Sequence, residues 1–399
     1  NDDINNTYNF TTETYAPTIG NIWNVFKNVD DEVKIDYYNI GKVNWIGGFG
    51  QLEYTNDKIS AFVQGGFSNQ GFKRIDPFNY LDSYPEQETE WINIIGGNIK
   101  GGLNYNIDEK HNVFANAGYY SKQPIFDAIF LNFVNDINDN YQNEKILGLE
   151  IGYGFRSQFF NANVNLYRTS WSDRFLSEGV NVTDPDGNLL FQGTANYDGI
   201  EQVHMGVEVD FTAKPTSFIT VNGMLSIGDW QYAGNPTATV FDDGQNQLGQ
   251  AELILDGVKV DDAAQTTARL GVSVEPVERL YFDASWYHAA KLFGQFDVVD
   301  FQDENTDGEP DGGDFQLELP AYDLFDAGLT YKMLVGKEKD NSISLRLNVN
   351  NVFNEVYISE STSNDEVEAG DDTWNGVNVS NNVFWGFGRT WNFGIRYKF

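Results

Sequence analysis

Cysteine is absent from this 399-residue chain, and histidine and methionine are scarce at 3 residues each. A disulfide scaffold and a thiol nucleophile are therefore excluded. No apolar run approaches the roughly 18 residues of a membrane-crossing helix, and the mean hydropathy is −0.44. Helical spans are excluded on that ground. Positive charge is also short, with 25 Lys and Arg against 59 Asp and Glu, a net charge of −34. Phosphate backbones need a basic face, so nucleic acid is not an expected partner. The 3 histidines, His111, His204 and His288, fall on separate segments, and no GxSxG elbow is present. Catalysis has little support, with an outer-membrane hydrolase as the remote alternative.

What the chain has in quantity is aromatic residues, 15% of the total, and 39 glycines. Their arrangement is clearest at the end, FWGFGRTWNFGIRYKF from Phe384 to Phe399. Trp385, Phe387, Trp391, Phe393, Ile395, Tyr397 and Phe399 occupy odd positions, while Gly388, Thr390, Asn392, Gly394, Arg396 and Lys398 occupy even ones. Side chains of a strand alternate between two faces, so this strand has one oily and one polar face. The pattern suits either a soluble sandwich or a membrane barrel with lipid outside and water within.

The rest of the chain repeats it. Gly50, Leu52 and Tyr54 lead into Thr55-Asn56-Asp57-Lys58, and Ile59, Ala61, Val63 and Phe67 return. That is a hairpin with a tight turn. Further pairs turn at Asp108 to His111, Arg156-Ser157, Pro215-Thr216 and Glu275 to Glu278. Asn161, Asn163 and Asn165 share one face of a strand, a row of amides that a dry core would not accept. About thirteen strands result, joined alternately by short turns and by loops of about twenty residues or more. Short turns on one side and long loops on the other define an outer-membrane barrel, whereas a sandwich has no reason to segregate its loops. Residues 1–45 read as an extracellular loop with a short helix near Ile22 to Lys27, and residues 46–399 as barrel wall. An odd number of antiparallel strands cannot close, so at least one further strand is expected from residues before Asn1.

At this level the chain resembles the C-terminal barrel portion of a TonB-dependent outer-membrane receptor of the Bacteroidota type. The matching residues are Arg74 to Tyr80 (RIDPFNY), Gly118 to Pro124 (GYYSKQP), Asn143-Glu144-Lys145 and Asn348 to Tyr357 (NVNNVFNEVY). The resemblance implies an all-β transmembrane barrel of about 22 strands, of which this chain would supply about thirteen, with the plug domain lying outside it. It also implies TonB-driven import of a siderophore, cobalamin, oligosaccharide or peptide, with TonB reached through the plug. Glu150, Glu208, Asp210, Arg346 and Arg396 would face the lumen and plug. Tyr397 and the terminal Phe399 resemble the signal read by the barrel-assembly machinery. Outer-membrane lipid and lipopolysaccharide are the expected surroundings. Two alternatives stay open: a SusC-like glycan or peptide importer lidded by a SusD-like surface lipoprotein, and a non-transport scaffold or adhesin.

Two sets of residues are candidate sites. Phe126, Phe130, Tyr141, Tyr197, Phe296 and Trp374 lie outside the regular strands, where a ligand could stack on them, although packing the loops onto one another or onto a partner protein is the preferred reading. Trp171, Trp230 and Trp286, near strand ends, are expected in the outer aromatic girdle. The segment 303–314 places Asp303, Asn305, Asp307, Asp311 and Asp314 at the spacing of a calcium loop, with Gly308 at its sharp turn and Glu309 offering a carbonyl. Ca²⁺ is the one cofactor the residues suggest, against a plain solvated acidic loop. The turn-forming Asp184-Pro185-Asp186-Gly187-Asn188 is a weaker match, expected to join two short loop strands. Calcium added to the protein is expected to slow proteolysis within 303–314. Cleavage that does not respond to calcium would remove the ion from this loop.

Overall fold

In the computed structural model, residues 39–399 are described, apart from 82, 132–133, 184–188, 243–245, 262, 297–299, 304–307 and 311. The expected helix near Ile22 to Lys27, the centre of the Asp184 turn and Asn305, Asp307 and Asp311 lie outside the described residues.

Thirteen strands form one continuous antiparallel wall. They are β1 (Ile40–Thr55), β2 (Ile59–Ile75), β3 (Ile92–Asn106), β4 (His111–Lys122), β5 (Glu144–Arg156), β6 (Phe160–Thr183) and β7 (Leu189–Thr216). The series continues with β8 (Ile219–Ala233), β9 (Thr266–Val277), β10 (Leu280–Ala290), β11 (Tyr322–Val335), β12 (Asn341–Asn350) and β13 (Thr390–Lys398). Each pairs with its neighbours in chain order, and the two edges, β1 and β13, are not paired with each other. The wall therefore matches the expected strand order and is not closed.

Register shows why these residues sit as they do. Residues opposite one another in an antiparallel ladder share a face. Val63, Gly101 and Ala117 form one such row, continued by Leu149 on β5. Leu347 stands between Leu329 and Phe393 at the other end. This face carries exposed Leu52, Ile99, Ile151, Leu166, Trp391 and Ile395. So continuous an apolar surface suits hydrocarbon rather than water. Tyr54, Tyr105, Tyr153, Phe160, Phe211, Tyr331 and Tyr397 stand on the same face near the short turns. Phe160 stacks on Phe211 at 5.9 Å. They make an aromatic girdle at that rim.

The opposite face is wet. Asn112 donates to Asn104 at 2.7 Å, Asn116 to Glu150 at 2.9 Å, and Asn163 to Asp210 at 3.2 Å. Asn348 donates to Asn392 at 2.8 Å and Arg346 to Asn348 at 2.8 Å. Amides that each donate and accept can bridge neighbouring strands and satisfy one another beside water.

Two boundaries differ from expectation. β1 begins at Ile40 rather than after residue 45, because residues 40–46 pair with Ile75 through Asn69 along the upper part of β2. β6 and β7 do not end at the membrane but run on as a hairpin, pairing as far as Thr183 opposite Leu189. The strands flanking the Asp184 turn are thus the wall strands themselves, prolonged beyond the apolar band. A register shift between Trp171 and Leu176 marks where wall becomes hairpin, with Asp173 at φ 57°. Extra residues there bend the strand and re-aim its side chains.

The long loops pack with the ends of the wall strands into small cores. Phe72, Ile94, Ile129 and Phe130 make one, with Phe126 and Tyr141 packed on it. Ala195, Tyr197, Ile200, Tyr232, Leu253, Leu255, Phe296 and Phe301 belong to a second. Leu292, Leu317, Leu319, Ile358 and Val377 make a third, flanked by Trp374. Beside the first core, Arg74 joins two loops. Its guanidinium reaches Asp76 at 3.0 Å and Asn135 at 2.9 Å, with Arg74 and Asp76 only 2% and 1% exposed. Asp76 in turn accepts from the backbone of Phe78 at 3.1 Å and of Asn79 at 2.9 Å. Arg74→Ala would leave that carboxylate buried without its cation, a loss of about 3 kcal/mol. Faster proteolysis within residues 76–91 and a lower unfolding temperature are the expected results. An unchanged cleavage rate would show that the pair does not hold the loop.

Candidate functional site

The polar face carries a group of ring-bearing side chains at the long-loop end of β6, β7 and β8. Tyr167 lies opposite Gly206, which lies opposite Gly228. A Cβ on Gly206 would meet the Tyr167 hydroxyl at 2.7 Å, and one on Gly228 would meet Trp230 Nε1 at 2.7 Å. Glycine at both positions lets the two rings lie against the sheet. Trp230 Nε1 donates to the Tyr167 hydroxyl at 2.9 Å, which links the two side chains. His204, opposite Trp230, stacks on the indole with centroids 5.5 Å apart and planes 16° from parallel. Its Nε2 is buried and has no hydrogen-bond partner among the described residues.

The side chain of Gln265, from the segment just before β9, accepts from the Trp230 backbone N–H at 3.0 Å and donates to its carbonyl at 2.8 Å. This clasp holds the end of β8 where the ladder to β9 has not yet begun. Across the patch, the bulge in β6 turns Arg174 toward Trp171 and Gln202. Its guanidinium carbon lies 5.7 Å from the Trp171 ring centre, and it donates to the Gln202 side-chain oxygen. Asp173, the residue at positive φ, is held away by Lys145 at 2.6 Å. Arg174 has no carboxylate partner among the described residues, in a chain whose net charge is −34. The patch thus offers flat aromatic surfaces and one cation with unused electrostatic capacity, the combination that recognises a planar or anionic ligand.

The family model for the TonB-dependent receptor-like β-barrel matches residues 1–352. This chain belongs to that family. Its place is accordingly the Gram-negative outer membrane, the apolar face of the wall meets lipid, and the polar face lines the lumen. The fold resembles that of the ferric citrate transporter FecA in its unliganded form, at TM-score 0.57 and 12% identity over 92% of this chain and 46% of that one. It likewise resembles the copper transporter OprC, at 0.55 and 16% over 88% and 46%. The ferric yersiniabactin uptake receptor FyuA from Yersinia pestis aligns at 0.54 and 14% over 90% and 46%. The chain spans less than half the length of these structures. No curated protein matches it by sequence.

Within the receptor wall, several expected residues sit elsewhere than the sequence suggested. Trp171 and Trp230 belong to the lumen face, not the outer girdle, because each stands opposite a polar residue of β7, Gln202 and His204. Trp286 does face outward, donating to Asp323 at 2.7 Å. Phe130, Tyr197 and Phe296 are 2%, 0% and 6% exposed inside the small cores, Tyr197 from the prolonged β7 and not from outside the strands as expected. A loop of this length must bury some apolar surface to order itself, so these rings hold loops together rather than present a face to a ligand. Phe126, Tyr141 and Trp374 pack against the same kind of core. Glu150, Glu208, Asp210, Arg346 and Arg396 all fall on the lumen face, as expected. Tyr397 lies on the outer face opposite Ile343, with Phe399 beside it at 6.2 Å.

In the expected calcium loop, Gly308 has φ 87° and its N–H donates to Asp303 at 2.8 Å. Asp303 itself is buried. No group of three or more acidic or histidine side chains placed to hold a metal occurs among the described residues. Calcium there rests on spacing alone. The patch around Arg174 was not legible as a site beforehand, since its members are spread from Tyr167 to Gln265. The one available signal was tryptophan in phase with the polar residues at positions 171 and 230.

Arg174→Gln keeps the hydrogen-bonding capacity of the side chain but removes its charge. If the patch recognises an anion, the full-length receptor carrying this change should bind an anionic ligand roughly tenfold more weakly. Binding of neutral ligands should be unaltered. Equal losses for both would assign Arg174 to shape rather than charge.

Proposed function

We propose that this chain forms the C-terminal wall of a receptor that captures a scarce ligand at the cell surface. Energy relayed by TonB through a plug domain then drives the ligand across the outer membrane. Membership of the receptor-barrel family supports the reading, and one observation carries it further. The lumen wall holds an aromatic and cationic patch, Tyr167, Trp171, Arg174, His204 and Trp230, where a descending ligand would pass. The patch favours a ligand with planar groups and negative charge. We therefore take an anionic metal chelate as the substrate class, in keeping with the ferric citrate and ferric yersiniabactin named for two structural neighbours.

Charge on the surrounding wall suits passage rather than storage. Arg346 lies 3.8 Å from Asp283, and Asn222, Arg269, Ser285 and Asp326 line a hollow of the lumen face around them. Mixed signs at this spacing attract a charged ligand weakly at many places and tightly at none. Such a surface lets a ligand move on.

Uptake tests the proposal. Cells starved of metal and expressing the full-length receptor should accumulate a radiolabelled ferric chelate, and deletion of TonB should abolish accumulation while leaving surface binding intact. TonB-independent accumulation would refute the mechanism. Energised uptake of an oligosaccharide or peptide that needs a surface lipoprotein, with no chelate uptake, would keep the mechanism and replace the substrate class.

A further inference from the structure

Three ion pairs close charges on the outer face near the long loops. Lys145 meets Asp173 at 2.6 Å, Lys259 meets Asp229 at 2.7 Å, and His288 meets Asp323 at 3.0 Å. Pairing is expected where side chains approach hydrocarbon, since an isolated charge there is costly. Arg168 breaks this rule. Register places it on the lipid-facing side, between Leu149 of β5 and Met205 of β7. It is exposed and makes no hydrogen bond or ion pair among the described residues. Asp229, two strands along the same row, is already engaged by Lys259.

Height along the wall says what Arg168 meets. It stands eight residues beyond Phe160, the first residue of β6 and part of the aromatic rim at the short turns. At about 3.3 Å per residue and a tilt of about 40°, that is about 20 Å up an apolar band about 25 Å tall. The guanidinium therefore reaches the headgroup level of the outer leaflet. Directly beside it a groove of about 710 Å³ runs over the outer face of β3 to β6. Its floor is Gly101, Ala115 and Ala117, and its walls are Leu103, Ile151 and Leu166. Small residues on adjacent strands, flanked by branched ones, leave a channel for a hydrocarbon chain. A comparable groove at Leu270, Ala284, Trp286 and Phe325 carries no cation along it.

We propose that Arg168 and this groove form a binding site for one phosphorylated lipid of the outer leaflet. The phosphate pairs with the guanidinium and an acyl chain lies over Gly101, Ala115 and Ala117. A phosphate supplies the anion that the wall itself does not, and an arginine fork matches its oxygens. The assignment rests on the membrane location of the wall and is independent of what the receptor imports.

Native mass spectrometry of the full-length receptor in mild detergent tests it, with phosphorylated lipid A and its dephosphorylated form as probes. Wild type should retain the phosphorylated lipid at concentrations roughly five- to tenfold lower than Arg168→Gln, and Arg168→Lys should fall between them. Dephosphorylated lipid should bind all three equally and weakly. Ala117→Phe, which fills the groove and leaves the arginine in place, should also lose retention, and it serves if Arg168→Gln does not assemble. Equal retention of both lipids by wild type, or undiminished retention by Arg168→Gln or Ala117→Phe, would overturn the site.

Discussion

Everything in this wall depends on one constraint. Inside a bilayer no water is available to satisfy a backbone N–H or C=O, so each must be paired with a neighbouring strand. An unbroken antiparallel ladder of thirteen strands answers that demand. Once the ladder is imposed, side chains can only alternate between its two faces, and each face takes the chemistry of the medium it meets. Leu, Ile and aromatic side chains collect on one side, and Asn, Thr, Gly and charged groups on the other. The amide pairs from Asn104 to Asn392 are the lumen's counterpart of the apolar rows outside.

Beyond the apolar band the constraint relaxes, and the chain is organised differently. Here water can satisfy the backbone, and order must come from small cores and buried polar links. Tyr197, Phe296 and Phe301 supply one core, and Phe72 with Phe130 another. Arg74, Asp76 and Asn135 tie two loops together through charge-assisted hydrogen bonds. The prolonged hairpin of β6 and β7 connects the two regimes. Its bulge at Asp173 both ends the regular wall and aims Arg174 into the lumen. A single departure from ladder geometry thus creates the cationic part of the proposed ligand patch.

Arg174 and Arg168 lie close in sequence on β6 yet serve opposite sides. Arg168 has even parity on the strand and so projects to lipid with Leu166 and Val164, whereas the bulge carries Arg174 to the lumen side beside Trp171. Neither has a carboxylate partner among the described residues, in a chain with more than two acids for every base. Each of the two thereby keeps its charge available to a group outside the wall.

The alternation of residues such as Trp391, Phe393 and Ile395 with Asn392, Gly394 and Arg396 determined the two-faced strands, their order and their hairpin partners. It did so because strand periodicity is local: each side chain's face follows from its parity alone. Parity also placed Glu150, Glu208 and Arg346 in the lumen. It failed where strands were prolonged by residues lacking a clean alternation, as at residues 173–183, and where aromatic identity suggested a girdle for Trp171 and Trp230. Only the tertiary structure decided those positions. Cross-strand register brings Tyr167, His204, Trp230 and Gln265 together from separate strands, and burial inside loop cores depends on contacts between loops far apart in the chain. No local pattern encodes either, because both are set by which strands and loops become neighbours once the ladder has formed.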